Sequence, residues 1–149
     1  MSLNKQVKII LIETSNSGNI GSVLRAMKTM GFKNLCLVNP KKFPSDEVKA
    51  LAANAKDMID DVVVVDTLDK ALSDIDFVVG TSSRIRKVPW PNEPLNTVAP
   101  QINKIIESKT NVGILFGRED RGLTNDELQR CNLHMHIPAN EEYPVLNLA

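Results

Sequence analysis

Between residues 7 and 139, six short apolar runs alternate with five amphipathic ones, and this alternation constrains the fold more than any other feature of the chain. The runs "VKIILIET" (7–14), "NLCLVN" (34–39), "VVVVD" (62–66), "FVVGTS" (77–82), "NVGILFG" (111–117) and "LHMHIPA" (133–139) are rich in Val, Ile and Leu, as strands are. Most are continuous rather than alternating, which predicts strands covered on both faces. Helical patterns fall between them at 19–30, 45–60, 67–75, about 98–108 and 124–131. The order β-α-β-α-β-α-β-α-β-α-β predicts an α/β domain with a mostly parallel sheet and helices on both faces. In such folds ligands bind outside the carboxyl ends of the strands, near a switch in strand order.

With 149 residues the chain reads as one domain able to bury a core. Its 18 basic and 18 acidic residues cancel, which argues against indiscriminate coating of nucleic acid but leaves room for a local basic patch. No apolar run approaches membrane-spanning length, and "MSLNKQVKII" lacks a signal-peptide pattern. Cys36 and Cys131 have no metal-ligand spacing and read as reduced thiols, the usage of a cytoplasmic protein.

The first helix is the best marked. Asn19 reads as its N-cap, and Gly31 followed by Phe32 suits a left-handed C-terminal cap with an apolar contact. Ile20, Val23, Leu24, Met27 and Met30 form one stripe facing the sheet, while Ser22, Arg25 and Thr29 project from the opposite side. Residues 83–97, "SRIRKVPWPNEPLNT", read as one long irregular loop with a basic cluster at Arg84, Arg86 and Lys87.

Three strand ends share small or charged polar residues. Gly18 and Gly21 flank Asn19 at the first strand-to-helix turn, without the spacing of a dinucleotide fingerprint. Thr81 and Ser82 end the fourth strand just before the basic loop. "GREDRG" (117–122) ends the fifth, where Gly117 permits close approach and four charged residues follow. His134 and His136 share one face of a strand, but two histidines make a poor metal site, so no metal is expected.

Read together, "NIGSVLRAMKTMGF", "ILFGREDRGLTNDEL" and "IPANEEYPVLNLA" resemble, in order, the three signature motifs of the SpoU (TrmH-type) RNA 2′-O-methyltransferases of the SPOUT superfamily. "LVNP" and "VVGTSSRIRKVPWP" are similar to its tRNA-directed branch, which acts on the first nucleotide of the anticodon loop, position 32. The resemblance covers residues 7 to 149. It implies an α/β domain whose C-terminal segment threads a loop into a trefoil knot, and a homodimer that binds S-adenosylmethionine there. It also implies catalytic roles for Arg25, Glu119, Asn19 and Asn147, with Arg25 foremost. Cofactor contacts are implied for Thr81, Ser82, Gly117, Arg118, Glu119, Ile137, Pro138, Leu146 and Asn147. RNA contacts fall to Arg84, Arg86, Lys87 and Arg121, aided by Arg118, with Trp90 offered for base stacking.

The match departs at Val145, where the family carries a serine. Family members also continue into a long helix, so a chain ending at Ala149 is expected to be truncated, with the knot-completing helix absent. The reading is therefore a tRNA 2′-O-methyltransferase, with an rRNA-directed member of the family or a catalytically idle RNA-binding module as alternatives. Asp120 has no assigned role.

Overall fold

The computed structural model describes residues 6–15, 17–41, 58–82, 92–94, 104, 110–118 and 122–136. Among these, seven strands form a single sheet in the order β3-β2-β1-β6-β4-β7-β5. The strands are β1 (Val7–Ile12), β2 (Asn34–Val38), β3 (Val63–Val65), β4 (Phe77–Ser82), β5 (Asn92–Pro94), β6 (Val112–Phe116) and β7 (Leu133–His136). The helices α1 (Ser17–Met30), α2 (Leu68–Ala71) and α3 (Asn125–Gln129) lie between them in sequence. Every strand pair is parallel, as the alternating order predicts. The C-terminal segment to which the knot was assigned lies outside the described residues, as do most of the expected helices at 45–60 and 98–108.

Period-two alternation along the strands divides the core into two layers. Val7, Ile9 and Leu11 of β1 join Leu35, Leu37, Val112, Val79 and Met135 against Ile20, Val23, Leu24 and Met27 of α1. On the other face Ile10 and Ile12 join Cys36, Val38, Leu115 and Val78 against Ala71 and Leu128 of α2 and α3. Ile10, Leu37, Leu115 and Leu24 are completely buried. Each such side chain stabilises the fold by about 1.5–3 kcal/mol relative to exposure, so the two layers clamp the sheet from both sides.

The end of α1 is a Schellman cap. Phe32 N–H donates to the Met27 carbonyl at 2.9 Å and Gly31 N–H to that of Lys28 at 3.2 Å. Gly31 takes φ 83°, a conformation that costs a residue lacking Cβ little. Phe32 then packs on the first layer, supplying the expected apolar contact.

Three local expectations are corrected. Helix α1 begins at Ser17, so Asn19 is its third residue and not its N-cap; it is buried at 6% exposure. Met30 is 61% exposed, because it closes the last turn at the margin of the stripe, where the sheet no longer covers it. The segment 83–97 is not wholly irregular: Asn92–Pro94 pairs in parallel with β7, from Asn92 opposite His134 to Pro94 opposite His136. A proline is tolerated there because β5 is the edge of the sheet and its outer side needs no donor. The opposite edge, β3, leaves Val63 and Val64 about half exposed. No described helix is long and apolar enough to cross a membrane.

Candidate functional site

The carboxyl ends of β1, β6 and β4, neighbours at the centre of the sheet, bring together the first two sequence motifs and the fourth-strand end. After Ile12, Glu13 turns the chain with φ 49°, and its N–H donates to the Val38 carbonyl at 2.8 Å. Asn39 repeats the device after β2, with φ 48° and an N–H to the Val65 carbonyl at 2.8 Å. Both strand ends are thereby pinned to the next strand before the chain leaves the sheet.

At the end of β6, Gly117 leads into Arg118, which forms a two-way backbone bridge with Gly122. Arg118 N–H donates to the Gly122 carbonyl at 3.2 Å and Gly122 N–H to that of Arg118 at 2.7 Å. A Cβ on Gly117 would lie 2.1 Å from the Gly122 carbonyl carbon, so only glycine permits this closure. Buried Leu123 then anchors the chain, and Thr124 caps α3. Glu127 N–H donates to Thr124 Oγ1 at 3.2 Å, and Thr124 N–H to Glu127 Oε1 at 2.8 Å. This reciprocal pair satisfies two donors that the helix start would otherwise leave unmade.

The Arg118 guanidinium reaches two carboxylates. Nη1 donates to Glu127 Oε1 at 2.9 Å and Nη2 to Glu127 Oε2 at 3.2 Å, while Nη2 also meets Glu13 Oε2. The side chains of Arg118, Glu13 and Glu127 are 19%, 33% and 14% exposed, so water screens them only in part. Hydrogen bonding to Glu127 drives the Arg118 guanidinium still further above its ordinary range, against the opposing effect of burial and with Glu13 adding to the rise. Burial pushes the Glu127 carboxyl up, but its bonds to Arg118 and Thr124 outweigh this and hold it below the usual carboxylate range.

On the neighbouring strand, buried Thr81 donates its hydroxyl to the Leu115 carbonyl at 2.8 Å, tying β4 to β6 one residue before the mouth. Ser82 closes β4 opposite His136 of β7. Arg25 is exposed on the outer face of α1, about 12 Å along the axis from Ser17 at 1.5 Å per residue. Its carbonyl accepts from Thr29 Oγ1 at 3.1 Å. The structure thus gathers Thr81, Ser82, Gly117 and Arg118 at one mouth, puts Asn19 in the first turn of α1, and sets Arg25 about two turns further along that helix.

The side chain of Ser82 and all of Arg84, Arg86, Lys87, Trp90, Glu119, Asp120, Arg121, Ile137, Pro138, Val145, Leu146 and Asn147 lie outside the described residues. Glu13 and Glu127 belong to the site but were missed in the sequence. Thr-x-x-Glu at 124–127, a capping-box signature, marks Glu127; no local signal marks Glu13, 105 residues from Arg118.

Other polar groups serve the core. Buried His134 lies with Nε2 2.8 Å from the Leu128 carbonyl, which can only accept, so that nitrogen carries the proton. Cys36 and Cys131 are free, and burial pushes the Cys131 thiol up to about 12. Among the described residues no group of three or more His, Cys, Asp or Glu is placed to hold a metal ion. A pocket of about 230 Å³ opens at the amino ends of the strands, around Lys8, Cys36 and Asp74. It lies at the opposite end of the sheet from the motif residues, where parallel folds do not place their chemistry.

Residues 6–149 match the SpoU rRNA Methylase family. The chain is 53% identical over 144 residues to the tRNA (cytidine/uridine-2′-O-)-methyltransferase TrmJ of Sodalis glossinidius, covering 96% of this chain and 56% of that protein. The crystal structure of TrmJ from Z. mobilis superposes with a TM-score of 0.87 at 32% identity, covering 95% of this chain and 62% of that one. The SpoU methyltransferase AviRb from Streptomyces viridochromogenes, solved with the cofactor AdoMet, shares the fold at a TM-score of 0.71 and 16% identity, covering 95% of this chain and 54% of that one. The chain spans a little over half the length of the curated relatives it matches. With a parallel sheet, the first two motifs at the carboxyl ends of its strands and a family match over residues 6–149, the chain belongs to the SpoU rRNA methylase family.

Proposed function

We propose that this chain is the catalytic domain of an AdoMet-dependent tRNA ribose 2′-O-methyltransferase, acting on the first nucleotide of the anticodon loop, position 32, as a cytoplasmic homodimer. The observation that carries the reading is similarity, along nearly the whole chain, to a protein named for tRNA 2′-O-methylation. A second reading, methylation of rRNA by the same chemistry, is favoured by the description of the matching family.

The residues at the β6 mouth suit such a cofactor. Gly117 offers backbone without a side chain. Arg118, Glu13 and Glu127 together carry one positive and two negative charges, a net of −1, which suits a cationic sulfonium better than a free guanidinium would. AdoMet supplies an electrophilic methyl group. The protein must then exclude water and hold the ribose hydroxyl in line, because alignment removes much of the entropic barrier. Arg25 is assigned to orient that hydroxyl and to stabilise negative charge developing on its oxygen. A guanidinium carries donors and no acceptor, so the hydroxyl proton leaves to solvent or to an RNA phosphate and not to Arg25. Thr81, Ser82, Gly117, Arg118, Glu119, Ile137, Pro138, Leu146 and Asn147 are assigned to the cofactor pocket; Asn19, Glu119 and Asn147 are assigned to support the reacting groups. Arg84, Arg86, Lys87 and Arg121 are assigned to RNA.

The test is transfer of a labelled methyl group from AdoMet to unmodified tRNA, followed by alkaline hydrolysis. A 2′-O-methylated ribose leaves an alkali-resistant dinucleotide carrying the label. Transfer to rRNA but not to tRNA selects the second reading, and transfer to neither rejects both.

A further inference from the structure

We infer that Arg118 is a positioning residue, and that its clamp between Glu13 and Glu127 sets the cofactor wall at the end of β6. The inference rests on the methyltransferase reading for the identity of the ligand, though not for the clamp itself. One guanidinium ties the turn after β1, 105 residues away in sequence, to the turn after β6 and the first turn of α3. β1 and β6 are hydrogen-bonded neighbours, so Glu13 and Arg118 leave the sheet side by side.

Each partner has a second bond that makes the clamp rigid. Glu127 Oε1 accepts both Arg118 Nη1 and the Thr124 N–H, so helix cap and clamp share one carboxylate. Glu13 holds a left-handed backbone that a long side chain adopts only at a cost, and its N–H is fixed to Val38. Strain of this kind persists where surrounding contacts impose it, and it clusters at functional sites. Arg118 also bonds Gly122 in both directions through its backbone, fixing the two ends of the segment that carries Glu119. The forked geometry of arginine matters, because one planar group must meet two carboxylates from different directions. A lysine offers a point charge and no fork.

The clamp accounts for a cation that the sequence motif alone leaves unassigned between cofactor and RNA. Its two carboxylates leave Arg118 little capacity for an RNA phosphate. Its effect on catalysis therefore falls on cofactor binding and not on the chemical step.

Two variants of the full protein separate these roles. Arg118→Lys keeps the charge and removes the fork; Glu127→Gln keeps the capping box, which accepts Gln at that position, and removes the charge. Hydrogen exchange at the Gly122 amide reads closure of the turn whether or not a cofactor is bound, and calorimetry with AdoMet reads the wall. Arg118→Lys is expected to speed Gly122 exchange at least tenfold and to raise the KM for AdoMet at least tenfold, with kcat at saturation changed less than threefold. Glu127→Gln is expected to shift both by about threefold in the same direction. Unchanged exchange with only a lower melting temperature overturns the inference, and faster exchange with unchanged AdoMet affinity overturns its link to the cofactor. If the unaltered protein binds no AdoMet, the methyltransferase reading fails, and the exchange data alone decide whether the clamp orders the turn.

Discussion

Gly117 and Gly122 meet backbone to backbone: a Cβ on Gly117 would stand 2.1 Å from the Gly122 carbonyl carbon and 2.4 Å from the Leu123 nitrogen. Neither neighbour can yield as a flexible side-chain tip would, since both are main chain. Gly117→Ala is therefore expected to open the turn. Overpacking of this kind costs about 1–3 kcal/mol. The unfolding midpoint should fall by several degrees, and AdoMet affinity, measured by calorimetry, should fall more than tenfold. An alanine variant with unchanged affinity would contradict the assigned wall.

Arg25 stands on the exposed face of α1, and its carbonyl accepts from the Thr29 hydroxyl. Arg25→Lys should leave AdoMet affinity within about twofold while lowering turnover by about 10²-fold, the scale for losing one donor to developing oxyanion charge. Calorimetry and single-turnover methyl transfer on the same preparation check the split. Equal loss of both would show that Arg25 holds the cofactor instead.

The Thr81 hydroxyl is committed to the Leu115 carbonyl in a buried site. Thr81→Val keeps the shape and removes the donor, and should destabilise the protein by about 1 kcal/mol. Urea unfolding monitored by circular dichroism measures this directly. No change in midpoint would mean that the hydroxyl is not needed by the sheet and is free for a ligand.

Glu127 titrates below its ordinary value of 4.5 in the folded protein. The folded state therefore binds fewer protons than the unfolded state in that region. The stability Glu127 contributes is complete above its unfolded pKa and is lost as pH falls through the lower, folded value. The difference in unfolding free energy between the unaltered protein and Glu127→Gln should be largest near neutrality and shrink as pH falls below the ordinary carboxylate range. Parallel denaturation curves at a series of pH values check it; a difference that grows toward acid would contradict the assignment.

Cys131, with its thiol pushed up to about 12, donates to the Glu127 carbonyl and is almost entirely protonated at working pH. The thiolate is the reactive form. Iodoacetamide at about pH 8 should label Cys131 in the native protein at least 100-fold more slowly than in the unfolded chain. Peptide mass spectrometry after timed quenching reads the ratio.

The strands were legible because each layer of the core imprints a local pattern: Val7 to Ile12 is apolar at every position but Lys8, since both of its faces are buried. The Gly31–Phe32 cap was legible for the same reason, its requirement being confined to two adjacent residues. β5 was not, because three residues ending in proline become a strand only when β7 is there to pair with them. Asn19 has the chemistry of a cap, but the helix starts two residues earlier and carries it into the interior. At the site, Gly117 and Arg118 were found from their motif, yet what Arg118 bonds to was not. Glu13 joins it only through the pairing of β1 with β6, information that the chain encodes nowhere near either residue.

Nucleotide mapping reads ribose methylation of tRNA at the level of the single residue. Unmodified tRNA, methylated with the protein and AdoMet, is digested with nuclease and analysed by mass spectrometry. The predicted result is one additional methyl group on the ribose of the first anticodon-loop nucleotide, position 32, appearing about 10²-fold more slowly when Arg25→Lys replaces the unaltered protein. A methyl group on a base, or no methyl group on tRNA at all, would overturn the assignment as a tRNA ribose methyltransferase.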